Sequence, residues 1–178
     1  MIHRAVFLDR DGVINRSLIR DGKPYPPYNL AELEILPGVP EALDRLRAAG
    51  FRLIVVTNQP DVARGRQKRE MVEAIHAVLQ DRLAFDGLRV CYHDNADQCN
   101  CRKPAPGMLI AAAEQQNIDL AASFMVGDRW RDIEAGRRAG CTTILIDYGY
   151  AERLRSEPHM RVKSLHEAAN WILAHGDS

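Results

Sequence analysis

The sequence predicts an α/β fold in which a doubly wound parallel sheet is covered by helices on both faces. Short apolar runs alternate along the chain with longer stretches whose apolar residues follow helical spacing. The first two runs flank one such stretch and form a strand-helix-strand unit, which requires parallel pairing. Polar residues recur where the runs end, and open α/β sheets carry their reactive groups at that edge.

The first predicted strand is the apolar run that begins at Ala5, and it leads into two aspartates. Asp9 and Asp11 are separated by one residue and are followed by Gly12. Catalytic groups of open α/β sheets lie beyond the carboxyl ends of the strands, so both carboxylates are candidates for chemistry. Taken alone, this stretch is equally compatible with an Asp-Gly turn that carries two solvated charges.

The segment from Asn15 to Pro37 is predicted to be irregular, because residues 23–28 contain three prolines and cannot form a helix. A loop of this length in a compact domain is either a substrate-facing lid or a spacer. A helix then runs from Pro37 to Gly50. The second strand follows over residues 52–57.

The remaining elements continue the alternation. Helices are predicted over residues 69–83, 106–116, 133–139 and 164–173, and strands over residues 88–93, 123–126 and 142–146. No interdomain linker or internal repeat interrupts them. We therefore expect one domain over residues 1–178.

Composition narrows the class of protein. Lysine plus arginine and aspartate plus glutamate both number 24, so no overall field attracts nucleic acid or a membrane surface. No apolar run approaches the roughly 20 residues of a membrane span, and the first apolar run stops at Asp9, too early for a secretion signal. We expect a cytoplasmic monomer, in which the four cysteines are metal ligands or buried thiols.

Several polar groups should converge on one rim if the predicted strands pair in parallel. They are Asp9 and Asp11 after the first strand, Thr57 and Asn58 after the second, Gly127 and Asp128 after the fourth, and Arg102 and Lys103 ahead of the helix at 106. A structural cluster of ion pairs is the alternative for this set.

The inventory suits hydrolysis of a phosphate ester. Magnesium with oxygen ligands neutralises such an ester, and Asp9 and Asp128 fit as side-chain ligands. Lys103 and Thr57 can stabilise the phosphoryl group. Asp9 would be the nucleophile that forms an aspartyl-phosphate, and Asp11 would protonate the leaving group and then activate water.

Four short motifs together resemble those of haloacid-dehalogenase-like phosphatases, in the histidinol-phosphatase-related branch. They are Asp9-Arg10-Asp11-Gly12, Thr57-Asn58-Gln59, Cys101-Arg102-Lys103-Pro104 and Gly127-Asp128-Arg129. The likeness extends from Phe7 to about Ile146. It implies a Rossmann-like doubly wound sheet whose cap is reduced to small loops.

The resemblance also implies roles for individual residues. Asp9 matches the nucleophile and a magnesium ligand, Asp11 the proton donor whose backbone carbonyl binds magnesium, and Asp128 the remaining ligand. Thr57 and Lys103 match the pair that stabilises the phosphoryl group. Substrate contacts are expected from Arg10, Asn58, Gln59, Arg102 and Arg129. Asp132 is a further residue that could support the metal site through water.

The implied substrate is a small phosphorylated sugar. The first choice is a heptose 1,7-bisphosphate that loses its C7 phosphate on the route to nucleotide-activated heptose for surface glycans. Histidinol phosphate or another small phosphomonoester is the alternative within the enzyme class. A zinc-stabilised binding module without activity is the alternative from another class.

A second constellation comprises Cys91, His93, Cys99 and Cys101. Three thiols and an imidazole complete a tetrahedral zinc site with no open position, which indicates a structural metal. The alternative is a buried Cys91 beside two exposed cysteines without a role. The resemblance favours zinc, which would stiffen the loop that carries the adjacent Arg102 and Lys103.

The sequence departs from the resembled motifs at two places. Arg129 stands where lysine is usual, and Pro60-Asp61 replaces the usual Ser-Gly. The extra carboxylate of Asp61 should repel an anionic substrate unless Arg64 or Arg102 compensates. His76, within a predicted helix and without a partner motif, is expected to have only a packing or surface role.

Overall fold

Six parallel strands form the central sheet of the computed structural model, which describes residues 1–176. The strands are β1 Arg4–Leu8, β2 Leu18–Arg20, β3 Lys23–Tyr25, β4 Phe51–Asn58, β5 Gly87–Cys91, β6 Phe124–Gly127, β7 Thr142–Ile146 and β8 Met160–Val162. The helices are α1 Val39–Ala48, α2 Arg69–Leu83, α3 Gly107–Gln116, α4 Trp130–Ala139 and α5 Leu165–His175. The order across the sheet is β5-β4-β1-β6-β7-β8, and β2 and β3 form a separate hairpin.

Strand β1 lies inside the sheet and pairs in parallel with β4 and β6. Its alternate residues face opposite layers: Val6 and Leu8 pack on one side, Ala5 and Phe7 on the other. The first layer comes from α1, α2 and α5, and the second from α3 and α4. The prediction of a parallel sheet covered on both faces is confirmed.

Helix α2 shows why the sequence was informative about these elements. Val72, Ile75 and Leu79 recur at helical spacing and are all buried. Fully burying one such side chain stabilises the fold by roughly 1.5–3 kcal/mol, so the helix is held mainly by its apolar face. The observed bounds equal the predicted ones.

The structure adds strands where the sequence indicated irregular chain. Leu18 pairs with Tyr25 across the β2-β3 hairpin, whose turn residues Asp21 and Gly22 have φ of 49° and 71°. Positive φ at both central positions is the geometry that an Asp-Gly turn favours, so this dipeptide was an available signal. Pro24 is tolerated because a two-stranded ribbon leaves one side of each strand unpaired.

Helix α4 begins at Trp130, earlier than the expected start at Ile133. The Asp132 carboxylate accepts a hydrogen bond from the backbone N–H of Arg129 at 3.0 Å and closes the first turn. Strand β8, at the sheet edge, was also missed, because three residues carry too little periodicity to be recognised. Across residues 1–176, no helix is long and apolar enough to span a membrane.

Candidate active site

A cleft of about 350 Å³ lies beyond the carboxyl ends of β1, β4 and β6. The predicted site residues that line it are Asp9, Asp11, Asn58, Gln59, Arg102, Lys103, Asp128 and Arg129. Thr57, also predicted for the site, is 1% exposed and does not line the cleft. The structure thus brings together groups that are more than 100 residues apart in sequence, as the parallel arrangement of strands predicted.

Three carboxylates form a cluster at the centre of this cleft. Oxygen atoms of Asp9, Asp128 and Asp132 lie within 4.8 Å of one another. Oδ1 of Asp128 is buried and has no hydrogen-bond partner among residues 1–176. A buried oxygen without a donor, beside two further carboxylates, matches the all-oxygen ligand set that Mg²⁺ prefers.

Two glycines make the cluster sterically feasible. Gly12 has φ of 84°, and a Cβ placed on it would collide with Oδ2 of Asp128. A Cβ on Gly127 would collide with the Asp132 side chain. These residues must be glycine so that the backbone can approach the carboxylates so closely.

Lys103 is the cation of the cluster. The residue is buried, with 2% exposure. Its Nζ donates to Oδ1 of Asp9 at 2.8 Å, to Oδ1 of Asp132 at 2.6 Å and to the carbonyl of Val56 at 2.7 Å. Although burial opposes protonation, Asp132 and Asp9 raise the pKa of Lys103, so it stays charged.

One ammonium does not balance three carboxylates. Burial, followed by the charge of Asp132, raises the pKa of Asp9 to about 6. Burial and the charge of Asp9 raise the pKa of Asp128 well above its ordinary value. The repulsion identifies the position at which a divalent cation would be most stabilising.

The Asp11 side chain has a different environment from that of Asp9. Its Oδ1 accepts hydrogen bonds from Arg10 and Asn15, and its Oδ2 accepts one from Nε2 of Gln59 at 2.9 Å. The Gln59 amide also donates to the Thr57 hydroxyl at 2.9 Å. Asp11 is therefore surrounded by donors and lies outside the three-carboxylate cluster.

The structure offers no substrate contact by the Arg10 side chain, which is fully buried and does not line the cleft. Its guanidinium binds the Asp11 carboxylate on one edge and contacts the ring of His76 on the other. His76 is also buried, and its polar contact with Arg10 departs from the expected packing or surface role.

Asn58 holds the loop that carries Lys103. Its Nδ2 donates to the Lys103 carbonyl at 3.0 Å, and its Oδ1 accepts from the Lys103 N–H at 3.1 Å. Both ends of the amide are thereby engaged by one residue. The adjacent strand end thus positions the lysine that lies above the carboxylates.

Arginines surround the cleft mouth. Arg129 pairs with Glu152, while Nε of Arg102 donates to Oδ1 of Asn95 at 2.9 Å. Arg66 and Arg131, to which the sequence analysis assigned no role, also line the cleft. No spacing rule identifies them, because their approach depends on how the loop that carries Arg66 and the first turn of α4 pack around the cleft.

Arg64, which also pairs with Asp94 at 2.6 Å, partly offsets the extra carboxylate of Asp61. The Asp61 carboxylate lies within 3.5 Å of the Arg64 guanidinium, and its Oδ2 accepts a hydrogen bond from the Tyr28 hydroxyl at 2.8 Å. Arg64 is one of the two residues expected to offset this charge. Pro24 and Tyr25 line the cleft, so the proline-rich segment faces the site as a lid would.

The thiols and imidazole predicted to bind zinc also converge. The Sγ of Cys101 lies 3.2 Å from the Sγ of Cys91, 3.4 Å from the Sγ of Cys99 and 3.2 Å from Nδ1 of His93. Tetrahedral zinc with bonds of about 2.3 Å to sulfur would separate the thiolates by roughly 3.7 Å, close to these distances. The cluster could therefore hold zinc with little rearrangement.

Comparisons with known proteins identify a matching family model and similar phosphatases. Residues 100–168 match a family model described as HAD-hydrolase-like. The chain is 36% identical to a D-glycero-D-manno-heptose-1,7-bisphosphate 7-phosphatase of Thermosynechococcus vestitus, covering 96% of each chain. It is 38% identical to a D-glycero-beta-D-manno-heptose-1,7-bisphosphate 7-phosphatase of Pseudomonas aeruginosa, covering 89% of each.

A solved structure shows the same relationship. The crystal structure of D,D-heptose 1,7-bisphosphate phosphatase from B. bronchiseptica, complexed with magnesium and phosphate, has a TM-score of 0.84 to this chain. The two are 32% identical, and the match covers 96% of this chain and 98% of the other.

Proposed function

Because this chain belongs to the haloacid-dehalogenase-like phosphatases and is a phosphomonoester hydrolase, we propose that it removes the C7 phosphate of D-glycero-D-manno-heptose 1,7-bisphosphate. Asp9 is the nucleophile and Asp11 the general acid and base. The observation that carries the assignment is the arrangement of Asp9, Asp128, Asp132 and Lys103 around one point of the cleft.

The first step transfers the phosphoryl group to the enzyme. A carboxylate oxygen of Asp9 attacks phosphorus while the bond from phosphorus to the C7 oxygen breaks. Asp11 gives its proton to that oxygen, and the sugar leaves as an alcohol. Lys103, held at 2.8 Å from Asp9, offsets the charge on the phosphoryl oxygens.

The second step restores the enzyme. Asp11, now a carboxylate, takes a proton from water as the water oxygen attacks the aspartyl-phosphate. The bond between Asp9 and phosphorus breaks, and inorganic phosphate leaves. Asp9 is then again a carboxylate, and Asp11 again carries a proton for the next substrate.

Two metal ions belong to the proposal. The side chains of Asp9 and Asp128 and the backbone carbonyl of Asp11 would hold Mg²⁺, and Asp132 would support the site. Bound there, magnesium neutralises charge on the phosphate and on the crowded carboxylates. Cys91, His93, Cys99 and Cys101 would hold a structural zinc ion, and metal analysis should then find about one zinc per chain.

The cleft mouth favours a bisphosphate over histidinol phosphate. Arg66, Arg102 and Arg131 line it, and none of them forms an ion pair with a carboxylate within the described part of the chain. Three arginines without a salt-bridge partner among the described residues attract a second phosphate group and repel the ammonium of histidinol. The retained acid set likewise argues against a binding module without activity.

The proposal is tested by turnover of both heptose bisphosphate anomers and of histidinol phosphate, with and without Mg²⁺. We expect higher kcat/KM for a heptose bisphosphate and dependence on magnesium. Preference for histidinol phosphate would replace the substrate assignment. Equal background turnover of an aryl phosphate by the wild type and by Asp9→Asn would remove the enzymatic role and leave the binding module.

The proposal also includes a monomer in the cytoplasm, with neither nucleic acid nor membrane as a partner. The balanced charge supports the absence of nucleic-acid and membrane partners. The proposed zinc site supports the cytoplasm, because it requires thiolates, which persist in a reducing compartment. Size-exclusion chromatography with light scattering should give a mass near 20.0 kDa.

A further inference from the structure

A buried polar pair lies behind the general acid and has no part in the mechanism above. Arg10 is among the largest fully buried side chains, and His76, on α2, is 5% exposed. Taking a guanidinium and an imidazole out of water is costly unless their hydrogen bonds are replaced. The contacts of this pair show how they are replaced.

The guanidinium of Arg10 is held at both edges. Its Nε and Nη2 lie 3.1 Å and 2.9 Å from Oδ1 of Asp11, and Nη2 lies 3.1 Å from Oδ2. Its Nη1 lies 2.9 Å from Nε2 of His76. Because a guanidinium has only donors, Nε2 of His76 must be the acceptor, which leaves the imidazole proton on Nδ1.

His76 is therefore neutral. Burial, followed by the charge of Arg10, lowers the pKa of His76 to about 3. A neutral acceptor orients the guanidinium without competing for its charge. Within residues 1–176, Asp11 is the only carboxylate that forms an ion pair with Arg10.

We propose that Arg10 and His76 are positioning residues for proton transfer: His76 fixes the Arg10 guanidinium, which in turn fixes the Asp11 carboxylate at the cleft wall. Asp11 is the only member of this chain of contacts that lines the cleft, with its side chain 18% exposed. The inference rests on the proposed function, in which Asp11 protonates the leaving oxygen.

The role can be separated from a structural one by the choice of leaving group. A sugar alkoxide is a poor leaving group and needs the proton from Asp11, whereas p-nitrophenolate leaves without one. Misplacing Asp11 should therefore slow hydrolysis of a sugar phosphate much more than formation of the aspartyl-phosphate from p-nitrophenyl phosphate.

The experiment compares His76→Phe, which removes the acceptor at similar volume, with His76→Gln, whose side-chain carbonyl can accept from Arg10. Single-turnover rates of phosphoryl transfer are measured with a heptose bisphosphate and with p-nitrophenyl phosphate. We expect His76→Phe to slow the first roughly 10- to 100-fold and the second less than about threefold. His76→Gln should recover most of the loss, with little change in KM for any variant.

A matched control comes from the same helix. Leu79→Ala removes a buried apolar side chain of α2 and should destabilise the protein by about 2–5 kcal/mol without a leaving-group effect. If His76→Phe does not fold, His76→Met takes its place.

Equal losses on both substrates, or no loss on either, would overturn the positioning role while leaving the phosphatase assignment intact. A wild type that hydrolyses neither ester would instead refute the proposed function, and this inference with it.

Discussion

Asp9 and Asp11 are two residues apart, yet their surroundings differ in kind. Asp9 lies among carboxylates, with Asp128 and Asp132 close by and Lys103 as its cation. Asp11 lies among donors from Arg10, Asn15 and Gln59. In a regular strand, residues two apart share one face, but β1 ends at Leu8 and Gly12 has φ of 84°, so Asp9 and Asp11 lie in a turn and meet different neighbours.

The difference teaches how one side-chain type acquires two roles. In the proposed mechanism, the carboxylate that lies beside Lys103 and two further carboxylates acts as the nucleophile. A carboxylate oriented by several donors is fixed in position for transferring a proton. Environment therefore assigns the roles in the proposed mechanism.

Removal of the nucleophile should have the largest effect. Asp9→Asn should lower kcat by roughly 10⁴-fold or more, because no aspartyl-phosphate can form. Rapid quench with labelled substrate should trap phosphoenzyme in the wild type and none in the variant. Labelled protein from Asp9→Asn would show that another residue is the nucleophile.

Removal of the proton donor should have a smaller and more selective effect. Asp11→Asn should slow turnover of a sugar phosphate roughly 10²- to 10⁴-fold. With p-nitrophenyl phosphate, the first step should proceed while hydrolysis of the intermediate stalls, so phosphoenzyme should accumulate. Undiminished turnover, or the absence of accumulation, would contradict the contrast between the two aspartates.

The glycine beside the carboxylate cluster allows a test of the metal site. Gly12→Ala should weaken Mg²⁺ activation roughly 10- to 100-fold, because the new Cβ would displace the Asp128 carboxylate. Gly22→Ala is the matched control: its φ is 71°, but nothing lies within 4 Å of a Cβ there. Backbone strain alone would weaken neither variant's response to magnesium, so equal magnesium titrations would contradict the prediction.

The smallest expected effect is that of His76 on the pH dependence of the free energy of unfolding. The folded pKa of His76, about 3, lies below its ordinary value of 6.5. Only the unfolded chain gains this proton between the two values, so the stabilisation present above pH 6.5 is lost as pH falls towards 3. In that window His76→Gln should flatten the pH dependence of unfolding free energy by up to about 1.4 kcal/mol per pH unit.

Urea unfolding at pH 7 and pH 5 measures this slope. Other titrating groups occur in both chains and largely cancel in the difference. Identical slopes for the wild type and His76→Gln would show that His76 does not resist protonation in the folded state.

Much of the site could be anticipated because its residues follow recognisable strands. Asp9 and Asp128 directly follow the buried strands β1 and β6, and Thr57 is the last but one residue of β4. Parallel pairing of the strands then brings these residues to one edge of the sheet, independently of the loop conformations. Lys103 was found through its motif, and its distance of 2.8 Å from Asp9 is consistent with the expected role.

The contacts that were missed join segments with no shared pattern. The contact between Arg10 and His76 links a strand end to the middle of α2, 66 residues later. The hydrogen bond from Tyr28 to Asp61 joins the proline-rich segment to the loop after β4. Arg66 reaches the cleft from the loop after β4, and Arg131 reaches it from the first turn of α4.

The sequence by itself determined the alternation of five of the six central-sheet strands with the five helices, the carboxylates at the strand ends and the grouping of three thiols and one imidazole, since each depends on spacing within a short segment. Only the tertiary structure decided which donors surround Asp11, that the Arg10 side chain is buried and that Arg64 and Tyr28 contact Asp61. The physical reason is that hydrogen bonds and ion pairs act over a few ångströms, and packing alone sets which distant side chains come that close.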